Sequence, residues 1–390
     1  MKKNLPLSYI EISKKNLIHN IKQFRDLVKK PARPHDNSGA GGGTKISVVI
    51  KGNAYGHGQN IVAKILEPYV DYFFVNSAEE LKLLRKVSQK PVLLLGYVEK
   101  SDLTQVIKLN CVLAVYSLEQ IKHISTMAEI CKVVQEIHIS IDAYLGREGF
   151  LNSELPAVLE EIKKLKNIKF SGIYAHFANI EDTTSFTHAQ RQINEYNRAL
   201  VITSKFGFKN LQTHISSTSG ILVYEKGKGI HPIVRLGISI YGMWPSEHLR
   251  LLYKNKMKLK PVMSWKTKIA QIKTLPKGST VGYGLTYKTK RKTKIALVPQ
   301  GYSDGFDRGL SNKGEVLIKD TRCKVIGRIS MNMFTVDVTH LKKVKIEDEV
   351  VLLGQQGKEK ITAEEIGKKL NTINYEVTTR VSSLLPRIVK

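Results

Sequence analysis

Short apolar runs alternate with amphipathic stretches along the first part of the chain. The runs occupy residues 46–50, 72–75, 91–95, 111–115, 135–141, 168–174, 211–215 and 233–238. Each is short, rich in apolar residues and bounded by turn signals, the pattern of a strand buried on both faces. Between them, stretches such as 78–86, 118–132 and 153–165 carry apolar residues at helical spacing. Parallel strands need crossover connections, so about eight strand-then-helix units within about 200 residues predict a closed parallel (β/α)8 barrel, the TIM fold. A doubly wound open sheet also fits weak alternation. The count of strands favours the barrel, as does the lack of a Gly-x-Gly-x-x-Gly after any of them.

The flanks read differently. An extended piece over 9–12 precedes Ser13, which can cap a helix whose apolar positions are Leu17, Ile21, Phe24 and Val28 and which ends near Lys30. Residues 31–44, rich in Pro, Gly, Ser and Asn, offer too little apolar surface to pack and read as a flexible insertion. Beyond Met243 the rhythm changes to segments 261–272, 294–298, 315–318, 324–329, 334–338 and 349–353, separated by turn signals such as Leu275-Pro276-Lys277-Gly278. The expected organisation is a barrel over 1–243 and a β-rich domain over 244–390.

Composition narrows the function. With 390 residues the chain has ample core for two domains. Its three cysteines, Cys111, Cys131 and Cys323, are far apart and lack metal-ligand spacing, which points to a reduced, cytoplasmic protein with no metal centre. No apolar h-region follows Met1-Lys2-Lys3, and no run reaches the roughly 18 residues that span a bilayer, so no membrane association is expected. The net charge of +28 is spread along the chain. Its densest run, Tyr287 to Lys294, would place the even-numbered lysines on one face of a strand or ribbon, an ordinary solvated surface. No helix-turn-helix, zinc-finger or RNA-binding signature accompanies the charge, and no specific nucleic-acid partner is expected.

The candidate chemistry starts at Lys51, directly after the buried run 46–50 and before the glycine-rich turn Gly52-Asn53-Ala54-Tyr55-Gly56-His57-Gly58 that opens a helix. A buried ammonium costs several kcal/mol unless paired or neutralised, and a Schiff base would neutralise it. Barrel enzymes carry their functional groups at the C-terminal ends of the strands. At those ends this sequence places Lys51, Arg147, His176, the segment His214-Ile215-Ser216-Ser217-Thr218, and Arg235, so cations, a histidine and hydroxyls converge on one rim.

Six blocks in order resemble the alanine racemases: 51–58, Val234-Arg235-Leu236-Gly237-Ile238 to Gly242, Val281-Gly282-Tyr283-Gly284 to Tyr287, 301–305, 327–333 and 373–377. The resemblance covers nearly the whole chain. It implies a cytoplasmic enzyme that uses pyridoxal 5'-phosphate to interconvert L- and D-alanine and supplies D-alanine for peptidoglycan. It also implies a homodimer with active sites shared between subunits. By the same resemblance, Lys51 carries the cofactor and serves as one catalytic base, with Tyr283 from the other subunit as the opposing base. Tyr55, Thr218, Tyr375 and the backbone of Gly237 and Ile238 match phosphate-binding positions. Arg235 matches the arginine facing the pyridine nitrogen, and His176 the residue linking that arginine to the catalytic tyrosine. Arg147, Tyr302 and the amide of Met331 match substrate-binding groups. Chemically, one base on each face of a planar carbanion is the simplest route to racemisation. Lysine and tyrosine have ordinary pKa values of about 10.4 and about 10, so neighbouring cations such as Arg235 and Arg147 are expected to lower both.

The sequence departs from the family pattern at several positions. Seven residues before Arg147, where many alanine racemases have a lysine, often carbamylated, this chain has Ser140. Water, an anion or another side chain must therefore hold the arginine, and a looser hold is expected. Ala143-Tyr144-Leu145 replaces the usual Thr-Gly-Met and is expected to fill space near the substrate. Asn332 and Ser217-Thr218 are milder changes. Serine is the next candidate substrate. A related barrel decarboxylase would need an acid at position 235 and a catalytic cysteine in the second domain. A non-catalytic cofactor carrier would not need Tyr283, His176 and Arg235 together.

Overall fold

The structure is a computed structural model that describes residues 5–28, 44–181, 184–225 and 231–390. The insertion expected at 31–44 lies, except for Thr44, outside the described residues. All eight predicted runs are strands: β2 (Lys45–Val49), β3 (Tyr72–Val75), β4 (Val92–Leu94), β5 (Val112–Val115), β6 (Gln135–Ser140), β7 (Ile168–Tyr174), β8 (Gln212–His214) and β9 (Ile233–Leu236). They form one parallel sheet in the order β8-β7-β6-β5-β4-β3-β2-β9. The Arg235 amide donates to the Ser216 carbonyl at 3.0 Å across the seam between β8 and β9, so the barrel is nearly closed.

Two different environments line this barrel. Outward-facing strand residues such as Ile46, Val48, Phe73 and Val75 join the large apolar core beneath the surrounding helices. Inward, Val49, Phe74, Leu93, Ala114, Tyr174 and Ile233 form a small apolar cluster. His138, His214 and Arg235 are also buried. Helix starts follow capping rules: Ser77 Oγ accepts from the Glu80 amide at 3.3 Å and Ser117 Oγ from the Gln120 amide at 3.2 Å. Among the described residues no helix is long and apolar enough to cross a membrane.

The extended piece at the start of the chain is β1 (Tyr9–Ile12), followed by the predicted helix Lys14–Val28 with the Asn16 amide on Ser13 Oγ at 3.2 Å. Although the sequence grouped β1 with the barrel, it hydrogen-bonds into the second sheet. That sheet contains β10 (Met263–Lys268), β11 (Gln271–Leu275), β14 (Thr293–Val298), β15 (Glu315–Ile318), β16 (Thr321–Ile326), β17 (Phe334–Asp337), β18 (Glu349–Gln356) and β20 (Arg387–Val389). β19 (Glu359–Ile361) pairs with β18 off the main path, and β12 (Thr280–Val281) forms a hairpin with β13 (Tyr287–Lys288). The order is β11-β14-β17-β16-β15-β18-β10-β1-β20, with Ile10 opposite both Trp265 and Arg387.

Two expectations are corrected here. The segment 261–272 breaks into β10 and β11, and the lysine run 287–294 is not one strand: β13 ends at Lys288 and β14 begins at Thr293. The second domain also holds helices Ala363–Leu370 and Asn374–Thr379, which the strand-based reading passed over. The Thr362-x-x-Glu365 pattern signalled the first of them, and the Glu365 amide does donate to Thr362 Oγ1 at 3.2 Å.

Candidate active site

Lys51 leaves β2 at the C-terminal mouth of the barrel and is followed by an unusual backbone. Gly52, Asn53, Ala54 and Tyr55 have φ values of 61°, 53°, 54° and 54°, a full left-handed turn before the helix Gln59–Leu66 begins. Three of these residues carry a Cβ, and each non-glycine residue in this region costs about 1–2 kcal/mol. Specific partners offset that cost. The Gly52 amide donates to Glu80 Oε1 at 2.6 Å, the Gln59 amide to Asn53 Oδ1 at 2.9 Å, and His57 Nδ1 to the Tyr55 carbonyl at 2.9 Å. From the far end of the chain, Arg387 Nη2 donates to the Gly56 carbonyl at 2.9 Å. Gly56 is required as glycine: at φ 84° a Cβ would lie 1.9 Å from the Thr378 carbonyl oxygen.

The turn delivers Lys51 and Tyr55 into a cavity of about 620 Å³ at the strand ends. Arg147, His176, Thr218, Arg235, Gly237, Ile238 and Tyr375 also line it. Nine of the residues singled out from sequence therefore share one cavity. Tyr375 reaches it from the second domain, on the helix Asn374–Thr379. Tyr283, Tyr302 and Met331 do not line this cavity. They sit with Arg328 and Met333 around a separate depression of about 470 Å³ on the second domain, where Tyr283 is 73% exposed. Of the Ala143-Tyr144-Leu145 segment only Leu145 lines the cavity. Ala143 is buried, and the Tyr144 ring turns away to the Arg191 guanidinium at 3.8 Å, so the expected filling of substrate space falls to one residue.

Arg235 anchors the cavity floor. Its Nη2 donates to the Ala175 carbonyl at 2.7 Å, the Ile215 carbonyl at 2.8 Å and His176 Nδ1 at 3.1 Å; its Nη1 donates to His214 Nδ1 at 2.6 Å. Burial lowers its pKa to about 10, which still leaves it charged at neutral pH. Since His176 and His214 accept at Nδ1, each carries its proton on Nε2, and His214 passes the chain on to His138 Nδ1 at 3.0 Å. Burial, then the nearby Arg235, Arg147 and Lys51, pushes His176 down to about 3, so it is a neutral imidazole. In the sequence His214 and His138 read as barrel-strand residues; the hydrogen bond of His214 to a buried guanidinium, and that of His138 to His214, mark them as its supports.

Lys51 also has a lowered pKa. Burial is the largest cause and Arg147 the next, with Glu80 and Glu148 opposing them. Desolvation thus outweighs the neighbouring cations that the sequence put first. On the opposite wall, Tyr55 lies with its ring centroid 5.1 Å from Tyr241 and 6.0 Å from Tyr375. Burial pushes Tyr55 up to about 12 and raises Tyr375, so both keep their phenolic protons. The Gly237 amide donates to Thr218 Oγ1 at 3.1 Å, joining the loops after β8 and β9.

These features fit a phosphorylated aldehyde. The loops after the seventh and eighth barrel strands are where such folds hold phosphate. Here they offer the Thr218 hydroxyl, the Gly237–Ile238 backbone and two neutral phenols. A Cβ on Gly237 would lie 2.9 Å from Tyr55 Oη and fill that cradle. A half-buried lysine poised toward its neutral form faces the same space. No group of three metal-ligating side chains occurs among the described residues. Cys323 is buried in β16, and burial pushes its thiol up to about 12, a packing residue and not a nucleophile.

Fold and site together define a two-domain barrel enzyme built around a lysine at the first strand's exit. Residues 12–245 match the family described as alanine racemase, N-terminal domain, and residues 262–389 match alanine racemase, C-terminal domain. The alanine racemase of Leptospira interrogans is 34% identical over 98% of this chain and 95% of its own length, and that of Methanococcus maripaludis 36% identical over 97% and 98%. Among solved structures, the Clostridium difficile 630 alanine racemase matches with TM-score 0.89 and 34% identity over 100% of this chain and 97% of that one. The Bacillus anthracis alanine racemase with bound L-Ala-P matches with TM-score 0.89 and 30% identity over 99% and 95%. A further match is the Bartonella henselae alanine racemase with covalently bound pyridoxal phosphate, TM-score 0.83 and 25% identity over 99% and 100%. The chain belongs to the alanine racemase family, whose members are isomerases.

Proposed function

We infer that the chain racemises L- and D-alanine with pyridoxal 5'-phosphate, using Lys51 and Tyr283 as bases on opposite faces of the substrate, and that its D-alanine feeds peptidoglycan. The observation that carries this reading is the single cavity that gathers Lys51 with Arg147, His176, Arg235 and the Tyr55–Thr218–Tyr375 cradle. Lys51 would hold the cofactor, with Tyr55, Thr218, Tyr375 and the Gly237 and Ile238 backbone around its phosphate. When bound, the cofactor supplies an electron sink for the pair left on the substrate Cα.

The remaining work falls to this chain's own residues. Lys51 Nζ, whose pKa burial and then Arg147 lower, serves as the base on its face of the substrate. Arg147 receives the substrate carboxylate. Arg235 stays protonated and, held by carbonyls and neutral imidazoles, does not pass a proton to the ring nitrogen. That arrangement favours simple proton return over side reactions such as transamination, and it argues against the decarboxylase reading, which needs an acid at this position.

Tyr283 lines a different surface from Lys51 and is largely exposed, which supports a homodimer in which each tyrosine completes the partner's cavity. All three cysteines are free, which supports a reducing, cytoplasmic location. Co-expression tests the whole reading. Lys51→Ala and Tyr283→Phe are each expected to lose D-alanine formation, whereas their mixture regains about a quarter of wild-type activity, because half the dimers are mixed and each mixed dimer has one intact site. A mixture as inactive as its parents contradicts shared sites, and two active parents contradict the assignment of the bases.

A further inference from the structure

The loop that carries Arg147 is closed at its stem. Ile141 and Phe150 bridge, the Phe150 amide donates to the Ser140 carbonyl at 2.9 Å, and the Asp142 amide donates to the Phe150 carbonyl at 3.1 Å. Inside the loop, Asp142 Oδ1 accepts from the Leu145 and Gly146 amides at 2.9 Å each. Arg147 and Glu148 therefore sit at the apex of a braced turn. Ser140 lies buried in β6, at the stem of this loop, and has no negative charge to offer the guanidinium.

Across that apex the Glu148 carboxylate grips the Arg147 guanidinium with both oxygens. Arg147 Nη2 donates to Glu148 Oε1 at 2.8 Å, and Nε donates to Oε2. Glu148 turns inward and lines the Lys51 cavity with a side chain only 29% exposed, while the Arg147 side chain remains 60% exposed. A guanidinium has five donors in a planar fork. The carboxylate takes two along one edge and leaves the others, including the Nη1 end, for a second carboxylate. Glu148 also raises the Lys51 pKa where Arg147 lowers it, so the pair limits the field of the arginine at the lysine.

We propose that Glu148 is a positioning residue: from the next place in the chain it supplies the anion that aims Arg147 at the substrate carboxylate, the task left open by Ser140. This rests on the reading of the cavity as an amino-acid site. A pair between exposed neighbours is ordinarily worth little. The braced loop, the two-point grip and the inward carboxylate set this one apart.

The test compares Glu148→Gln, Glu148→Asp and wild type as holoenzymes, with Arg147→Lys alongside. Glutamine keeps the shape and removes the charge. It is expected to raise KM for L-alanine and the inhibition constant of acetate about tenfold or more, with kcat changed less than about threefold. Glu148→Asp is expected to fall between the two. In 15N-labelled protein the Arg147 Nε–H resonance, slowed in solvent exchange by the carboxylate, should revert to a freely exchanging signal in Glu148→Gln. A Glu148→Gln enzyme with wild-type KM and acetate affinity overturns the proposal while leaving the racemase reading intact. A wild-type enzyme that racemises alanine but whose Arg147→Lys variant shows no change in KM overturns it as well. If the wild type turns over no alanine, the racemase reading itself falls and takes this inference with it.

Discussion

Arg235 Nη1 donates to His214 Nδ1 at 2.6 Å inside the barrel, a charged donor held by a neutral imidazole, with no carboxylate hydrogen-bonded to the guanidinium among the described residues. Carbonyls of Ala175, His214 and Ile215 take up the rest of the fork. A buried cation without a counter-ion survives only because its donors are satisfied, and removing it strands those acceptors. Arg235→Ala should therefore lower the urea unfolding free energy by about 2–4 kcal/mol as well as abolish racemisation. A variant of wild-type stability would show that water replaces the guanidinium without cost.

The same interior makes the fold sensitive to mild acid. Burial lowers His57 and His231 to about 4 and His138 and His176 to about 3, and holds His214 well below its ordinary value. An unfolded histidine titrates near 6.5, so below that pH the unfolded chain binds protons the folded one refuses. The stability these groups contribute is complete above about pH 7 and is lost as pH falls toward the folded values, by up to about 1.4 kcal/mol per pH unit for each. Melting temperature should fall steeply from pH 7 to pH 5. A flat profile across that window would mean that the folded imidazoles take up protons at the same pH as those of the unfolded chain.

Gly56 joins the lysine turn to the second domain. Gly56→Ala drives a Cβ into the Thr378 carbonyl, in the helix that carries Tyr375, whereas Gly207 has nearly the same backbone, φ 89°, with nothing within 4 Å of a Cβ. Gly207→Ala should cost about 1 kcal/mol, from backbone strain alone. Gly56→Ala should cost about 2–3 kcal/mol or more and weaken pyridoxal phosphate affinity in equilibrium dialysis. Equal costs at the two positions would show that the Thr378 contact relaxes freely.

How much of the structure is legible in the sequence depends on the kind of residue. The barrel strands were legible because they are buried on both faces, and a run such as Tyr72–Val75 has few other readings. The partner of β1 was not, since Ile10 pairs with Trp265 across most of the chain length. The lysine run 287–294 looked like one strand because its periodicity gives no hint of the turn between β13 and β14. The left-handed path of Asn53, Ala54 and Tyr55 left no mark in residue type. It is imposed by Glu80 and Arg387, which are remote in sequence. Strand ends alone gave the rim of Lys51, Arg147, His176, Thr218 and Arg235, whereas Tyr283, Tyr302, Met331 and Tyr375 were found through resemblance. Glu148 escaped notice because a charge beside a charge in a glycine loop reads as solvated surface.

The most direct test of the two-base account follows the α-hydrogen of alanine by proton NMR in deuterated water, using Tyr283→Phe with each enantiomer in turn. With Lys51 alone in place, the account predicts that one enantiomer exchanges its α-hydrogen for deuterium without inverting and that the other keeps it. If both enantiomers exchange and interconvert at the wild-type rate, Tyr283 is not a base and the two-base mechanism is wrong.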